Sequence, residues 1–301
     1  MSLATLYSLL FNFILATNRY PRSWKIVSVI PLHKSGPTYD ISNYRPIAIL
    51  LSVSKVFENI IHSHLYTYLE SKDLLFSRNS GFRKHHSTTS NLLEVSHKLL
   101  HAKDNGYSSR MVFLDISKAF DKVVHSGLLF KLQQLLVSGS FFNLMEPYLL
   151  GRSQFVQISN AKSDTLDTNC RVPQGSVLGP VLFLVYVNNV SENIKSSISL
   201  FADDTVLSCS KCPYNLHSIL SSDLKTLQSW ADLWSMSFNA SRTKAFTISS
   251  NVSHHPPLQL ANHILSEVDS QPPRSYFPPF LVLAYARSII VSQGYYTTKW
   301  F

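Results

Sequence analysis

The stretch Phe201-Ala-Asp-Asp-Thr-Val-Leu-Ser208 sets two carboxylates side by side between apolar residues. Adjacent acids repel, and near a core they are also poorly solvated. With only 18 Asp and Glu among 301 residues, such a pair calls for a compensating charge, and a divalent cation is the obvious candidate. The flanking runs, 197–202 and 205–209, predict two strands joined at Asp203-Asp204, a hairpin with the acids at its tip. A plain polar turn would also explain the pair.

A third carboxylate ends the apolar run Met111-Val-Phe-Leu-Asp115. Four consecutive apolar residues suit a central strand buried on both faces. A helix is expected to follow from Lys118 to Leu136, so a helix cap is the alternative reading of Asp115. If that strand lies beside the hairpin, Asp115, Asp203 and Asp204 converge. Their hard oxygen donors suit Mg²⁺, and two such ions about 3.5–4 Å apart suit in-line attack on a phosphate.

Working outward, residues 1–20 read as an amphipathic helix with Leu3, Leu6, Leu10, Phe13 and Ile14 at helical spacing, rather than a signal peptide. Trp24–Leu32 alternates and predicts a strand ending at Pro31. Ile47–Leu69 reads as a long helix with Leu50, Val53, Phe57, Ile60, Ile61 and Leu65 on one face. A basic loop, 77–90, leads into a helix over 89–103. Strands are expected over 155–158 and 169–172, a buried helix over 177–187, and a helix over 216–238. No apolar run reaches the ~18 residues of a membrane span.

The net charge of +9 points to an acidic partner, nucleic acid being the commonest. Three cysteines imply no disulfide framework. Cys209-Ser-Lys-Cys212 is formally a CxxC, yet alone it supplies half a zinc site. His85 and His86 read as surface residues of the basic loop, and Trp230 and Trp234 as core. Six of the 14 prolines fall between Pro256 and Pro279, all as Pro-Pro pairs, which break helices and strands alike.

FLDISKAFD, RVPQGSVLGP and FADD, in that order, resemble the reverse transcriptase domain of non-LTR (LINE-like) retrotransposons of the Jockey or CR1 kind. SVIPLHKSG, NYRPIAIL, SGFRKHHST, DKVVHSGLLFKL and SFNASRTK carry the same resemblance, which spans about Trp24 to Ile248. It implies an α+β fold, a right-hand polymerase with palm and fingers, and copying of RNA into DNA with Mg²⁺, or Mn²⁺ in its place. The partners implied are an RNA template, a DNA primer and dNTPs, with no membrane. A retroelement product is expected in nucleus or cytoplasm.

The resemblance also implies roles. Asp115, Asp203 and Asp204 match the catalytic, metal-binding carboxylates, with the Ile116 carbonyl as a further ligand. Phe120 matches the bulky gate against a 2′-hydroxyl, since a ring beneath the sugar leaves no room for that group. Pro173, Gln174 and Gly175 match the loop on the incoming nucleotide and template, and Lys34 and Arg45 the cations that hold the triphosphate. Arg83 and Arg152 are expected on template or primer phosphates.

The pattern departs from the family in three places. Ser80 stands where Gln is usual before Gly-Phe-Arg. Asn239-Ala-Ser-Arg-Thr243 replaces Asn-Pro-Ser-Lys-Thr, so the candidate proton donor is Arg242 or Lys244, and arginine is a poor acid. The Leu-Gly primer-grip hairpin expected soon after residue 260 is replaced by SEVDSQPPRSYFPPFLVLAYARS.

The domain expectation is therefore an N-terminal helix over 1–23, a reverse transcriptase fingers and palm domain over 24–250, and a Pro-rich, poorly packed tail over 251–301, with the thumb missing or degenerate. An RNA-dependent RNA polymerase would want Asp five residues after Asp115, where Phe120 stands and Asp121 falls one residue late. The other alternative is a catalytically inactive retroelement remnant retaining at most nucleic-acid binding.

Overall fold

The computed structural model describes residues 2–34, 36–168, 170–173, 175–211, 213–248 and 256–268. In chain order the elements are α1 (Leu3–Thr17), β1 (Ile26–His33), β2 (Tyr44–Ile49), α2 (Ser52–Ser71), α3 (Thr88–Asp104), β3 (Ser108–Asp115), α4 (His125–Gln134) and α5 (Gly139–Leu149). Next come β4 (Arg152–Ile158), β5 (Ala161–Lys162), β6 (Leu166–Thr168), α6 (Gly179–Val187), β7 (Ser197–Phe201) and β8 (Asp204–Lys211). The last are α7 (Pro213–Leu233), β9 (Lys244–Ile248), β10 (Gln259–Leu260), β11 (His263–Ile264) and β12 (Ser266–Val268). The chain divides into two compact units, 1–76 with 118–188 and 77–117 with 189–301.

The second unit is built on a sheet of order β12-β9-β3-β8-β7. β3 pairs antiparallel with both β8 and β9, so it has no free edge, and all eight of its residues are buried. The apolar run at 111–114 is thus the central strand it was expected to be. Val95 and Leu99 of α3 pack on Met111 and Phe113 of β3 and on Phe246 and Ile248 of β9. α7 packs against β3 and β8 through a buried stripe at Leu216, Leu220, Leu224 and Leu227, the spacing of an amphipathic helix.

The first unit carries a second sheet, β2-β1-β4-β5, in which β1 pairs antiparallel with β2 and parallel with β4. α6 is apolar all round, and eight of its nine residues are buried, the pattern of a core helix. Phe11, Tyr20, Trp24, Phe57 and Tyr148 form an aromatic cluster with centroid spacings from 5.1 to 6.5 Å.

Several sequence expectations are corrected. Pro31 does not end β1, because β4 pairs only as far as Val29 and Pro31 faces Pro46, so its missing N–H breaks no ladder. Residues 44–49 form β2 and helix α2 begins at Ser52; Pro46 lacks an N–H and disfavours helix at Arg45. On α2 the buried face includes Ser54 and Glu58, whereas Ile60 is exposed. The helix expected over 118–136 is broken into a 3-10 turn at Ala119–Lys122 and α4. There the carbonyls of Phe120 and Val123 accept from the N–H groups of Val172 and Arg171. A strand follows at 166–168 rather than 169–172.

Of the tail expected to pack poorly over 251–301, the described residues 256–268 are packed. β12 pairs parallel with β9, and Leu258, Leu260 and Leu265 are buried. Arg110 of β3, fully buried, forms an ion pair with Glu267 of β12. Prolines 256 and 257 precede this packing rather than interrupt it. Residues 269–301, with the other Pro-Pro pairs, lie outside the described residues, as do Cys212 and Gln174.

Candidate active site

In the second unit, Asp115 is the last residue of β3 and Asp204 the first of β8, and the two are direct partners in the antiparallel register. Asp204 is also paired with Phe201 across the β7–β8 hairpin. Both acids are buried, at 6% and 8% exposure. Like charges set opposite each other destabilise a sheet, so the relationship seen in the sequence is reproduced across two strands. The hairpin tip is Ala202-Asp203, with Ala202 in the left-handed region at φ 59°. Asp203 is half-buried, and its carbonyl accepts the Ile116 N–H at 3.3 Å. Among the described residues, no group of three or more His, Cys, Asp and Glu lies close enough to hold a metal. The opposed pair is therefore Asp115 and Asp204, with Asp203 adjoining it through its backbone.

Gly81, in the basic loop, backs this tip. A Cβ there would lie 2.2 Å from the Ala202 nitrogen, so only glycine permits the approach. The loop itself turns through two left-handed residues, Phe82 and His85, and Arg83 is half-exposed on it.

The SFNASRTK segment is tied to the end of β3. Ser117 N–H donates to the Ser237 carbonyl at 2.8 Å, Asn239 N–H to the Asp115 carbonyl at 2.8 Å, and buried Ile116 bridges Phe238. These contacts bring Arg242 Nη1 to 3.5 Å from Asp115 Oδ2. Lys244, half-buried, begins β9 opposite Phe113. Arg242, rather than Lys244, is the cation paired with a site carboxylate.

The remaining candidates lie in the first unit. Leu32 pairs with Arg45, and the Lys34 N–H donates to the Asn43 carbonyl at 2.8 Å. Residues 34 and 45 thus sit as a diagonal pair at the loop end of the β1–β2 hairpin, on one face by the two-residue period of a strand. Phe120 stacks on Phe183 of α6 at 4.8 Å, and its carbonyl accepts the Val172 N–H at 3.0 Å. Pro173 is buried. Gly175 has φ 118°, and a Cβ there would come 2.5 Å from the Ala48 carbonyl oxygen.

Arg152 does not meet its expectation. It is 3% exposed, donates to the Tyr148 carbonyl at 3.0 Å, and lies over the Tyr148 ring. A guanidinium enclosed in this way cannot reach a nucleic-acid phosphate. Its charge instead faces Glu58, a residue the sequence reading passed over. Burial pushes the Glu58 carboxyl above the usual carboxylate range, opposed by hydrogen bonding from the Val177 N–H and by Arg152. Burial, reinforced by Glu58, pushes the hydroxyls of Tyr20 and Tyr148 up as well. An acid within an apolar helical stripe was the available signal. Asp223 was also missed: fully buried, it accepts from the N–H groups of Lys195 and Ser196 at 3.0 and 2.8 Å. Trp230 is buried, as expected of core, and its indole N–H reaches Asn189 Oδ1 at 3.0 Å.

No helix among the described residues is long and apolar enough to cross a membrane. Residues 32–275 match the family model for reverse transcriptase (RNA-dependent DNA polymerase). The chain is 35% identical over 248 residues to a probable RNA-directed DNA polymerase from the transposon X-element of Drosophila melanogaster, covering 80% of this chain and 27% of that protein. It is 32% identical over 268 residues to the RNA-directed DNA polymerase from the mobile element jockey of the same species, covering 86% and 29%. This chain thus spans less than a third of these relatives. Among solved structures, apo telomerase from Candida tropicalis superposes with a TM-score of 0.57 at 12% identity, covering 83% of this chain and 56% of that one, a likeness of fold. With carboxylates opposed at the ends of paired strands in the sheet of its second unit and the family match running through both units, the chain belongs to the reverse transcriptase family, as a domain homologous to the RNA-directed DNA polymerases of non-LTR retrotransposons.

Proposed function

We propose that this chain carries the palm and fingers of a reverse transcriptase that adds dNTPs to a primer 3′-hydroxyl on an RNA template. The single observation that carries the reading is the opposition of Asp115 and Asp204 across β3 and β8. The donor chemistry fits a hard divalent cation: two carboxylates from adjacent strands, the neighbouring Asp203, and the backbone of Ile116. Magnesium, or manganese in its place, would supply charge neutralisation at the phosphate and a lowered pKa for the primer hydroxyl. Reverse transcriptases generally use such ions.

The protein's own residues would do the rest. Lys34 and Arg45, paired on one hairpin face, hold the triphosphate by fixed charge, at no reorganisation cost when charge shifts to the leaving group. The Phe120 ring, held by its stack on Phe183, closes the space that a 2′-hydroxyl would need. Pro173, Gln174 and Gly175 bear on the nucleotide and template, with Gly175 required where backbone meets backbone. Arg83 contributes positive charge toward nucleic-acid phosphates. Arg242 steadies the Asp115 carboxylate, and Lys244 is the better proton donor of the two by its chemistry. No thumb is assigned among the described residues.

A second reading, an inactive remnant that at most binds nucleic acid, is favoured by the Arg242–Asp115 ion pair, which offsets part of the acidic charge without a metal. Primer extension on an RNA template separates the two. Incorporation of dNTPs well above rNTPs, abolished by Asp204→Asn, is the expected result. Template binding with no extension under any divalent ion would establish the remnant.

A further inference from the structure

Glu58 is a fully buried carboxylate that the chemistry above does not use. It stands on α2, whose buried face is otherwise made of Phe57, Ile61, Leu65 and Leu69 with a few polar groups. An isolated acid in such a place costs far more than an apolar residue of the same size, so its contacts decide what it is for. Oε2 accepts from the backbone N–H groups of Val177 and Leu178 at 2.8 and 3.4 Å. These two donors are separated from Gly175 by Ser176 alone and lie directly before α6, where a helix start leaves N–H groups without partners inside the helix. Ser176 Oγ takes the next donor, the Gly179 N–H, at 2.9 Å.

The loop is held from its other side as well. Gly175 lies against the Ala48 carbonyl of β2, so closely that no side chain fits, and Val172 N–H is bound to the Phe120 carbonyl. Val172, Gly175 and the Val177–Leu178 pair are therefore held at three points: by the Phe120 turn, by β2, and by Glu58. Arg152 supplies the opposite charge that lets an acid persist there. Of the three clamps, only Glu58 acts through a side chain, and only it fixes where the loop ends.

We propose that Glu58 is a positioning residue for nucleotide capture: by accepting from Val177 and Leu178 it holds the start of α6, and with it Gly175, in the place that receives the incoming dNTP. This rests on the reading that the loop bears on the nucleotide. Glu58 touches no substrate itself. The expected signature is weakened dNTP affinity at unchanged affinity for template and primer, with recovery when an acceptor of the same shape is restored.

The test measures dNTP binding to the chain held on an RNA template with a dideoxy-terminated primer and magnesium, so that no turnover is required. Hydrogen exchange of the 172–178 segment is followed in parallel. Glu58→Leu removes both acceptor contacts. If it fails to fold, Glu58→Leu with Arg152→Met replaces both of these buried, oppositely charged groups by apolar ones, an exchange that is often neutral for stability. Whichever variant folds is expected to exchange the loop amides faster and to bind dNTP about tenfold more weakly, as for loss of about one buried hydrogen bond of 1.4 kcal/mol. Glu58→Gln is expected to restore most of that affinity. Faster exchange with wild-type dNTP affinity would overturn the proposal, leaving Glu58 a purely structural acid. Gln174→Ala distinguishes the two levels. If it weakens dNTP binding while the Glu58 variants do not, only this proposal fails; if it has no effect, the reading of the loop fails and the proposal with it.

Discussion

Arg242 Nη1 lies 3.5 Å from Asp115 Oδ2, at the end of the strand that sets Asp115 opposite Asp204. A cation of the protein thus stands where a divalent ion is proposed to act. The Arg242 side chain is more than half exposed, and such pairs contribute about 0.2–1 kcal/mol. Arg242→Ala should accordingly lower the magnesium concentration for half-maximal extension by about two- to fivefold. A magnesium titration of the two proteins checks it, and an unchanged midpoint would mean that Arg242 does not compete for Asp115.

Gly81 supports the hairpin tip by close approach to Ala202. A Cβ at Gly81 would meet backbone at 2.2 Å, whereas one at Gly106, despite its φ of 72°, would meet nothing within 4 Å. Gly81→Ala should cost about 2–3 kcal/mol, the range of overpacking, and reduce extension further through the displaced Asp203. Gly106→Ala should cost only about 1 kcal/mol for the left-handed backbone. Thermal melting of both variants, with extension assays on the folded fraction, separates contact from backbone strain. Equal losses would contradict the assignment.

Phe120→Ala removes the ring stacked on Phe183. Discrimination against ribonucleotides should fall by roughly ten- to a hundredfold, the range a shaped pocket supplies. The ratio of dNTP to rNTP incorporation efficiency reads this directly, and an unaltered ratio would remove Phe120 from sugar selection.

His125 is buried, and burial pulls its pKa below the ordinary value of 6.5, with the hydrogen bond to the Arg171 carbonyl acting in the opposite direction and Arg152 reinforcing the fall. The folded state therefore disfavours the protonated ring. Its contribution to stability is present above the unfolded pKa and is lost as pH falls through the folded value. Between pH 8 and pH 5 the melting temperature of the wild-type chain should drop further than that of His125→Gln. Parallel curves would show that His125 does not titrate differently on folding.

Much of the site was legible because it depends on periodicity. The apolar run before Asp115 and the runs flanking Asp203-Asp204 point to β3, β7 and β8, and pairing of the central strand with the hairpin sets Asp115 opposite Asp204, whereas the expected grouping of all three acids is not found among the described residues. The β1–β2 hairpin was not legible. Ile47-Ala-Ile-Leu50 fits the start of a helix as well as the end of a strand, and only pairing with β1 decides it. Arg152 misled for a related reason: residue type gives charge, but the field of Glu58 comes from a helix distant in sequence. The stretch over 256–268 reads as broken by its prolines, yet Leu258, Leu260 and Leu265 bury themselves and Glu267 answers Arg110.

The claim on which the mechanism depends is that the facing acids of β3 and β8 jointly bind a divalent ion. Manganese binding, followed by the loss of free-ion resonance on titrating wild type, Asp115→Asn and Asp204→Asn, tests it most directly. Each variant should bind at least about tenfold more weakly while melting no lower than wild type, since removing one of two opposed like charges relieves about 0.2–1 kcal/mol. Folded variants that bind manganese as tightly as wild type would contradict the account.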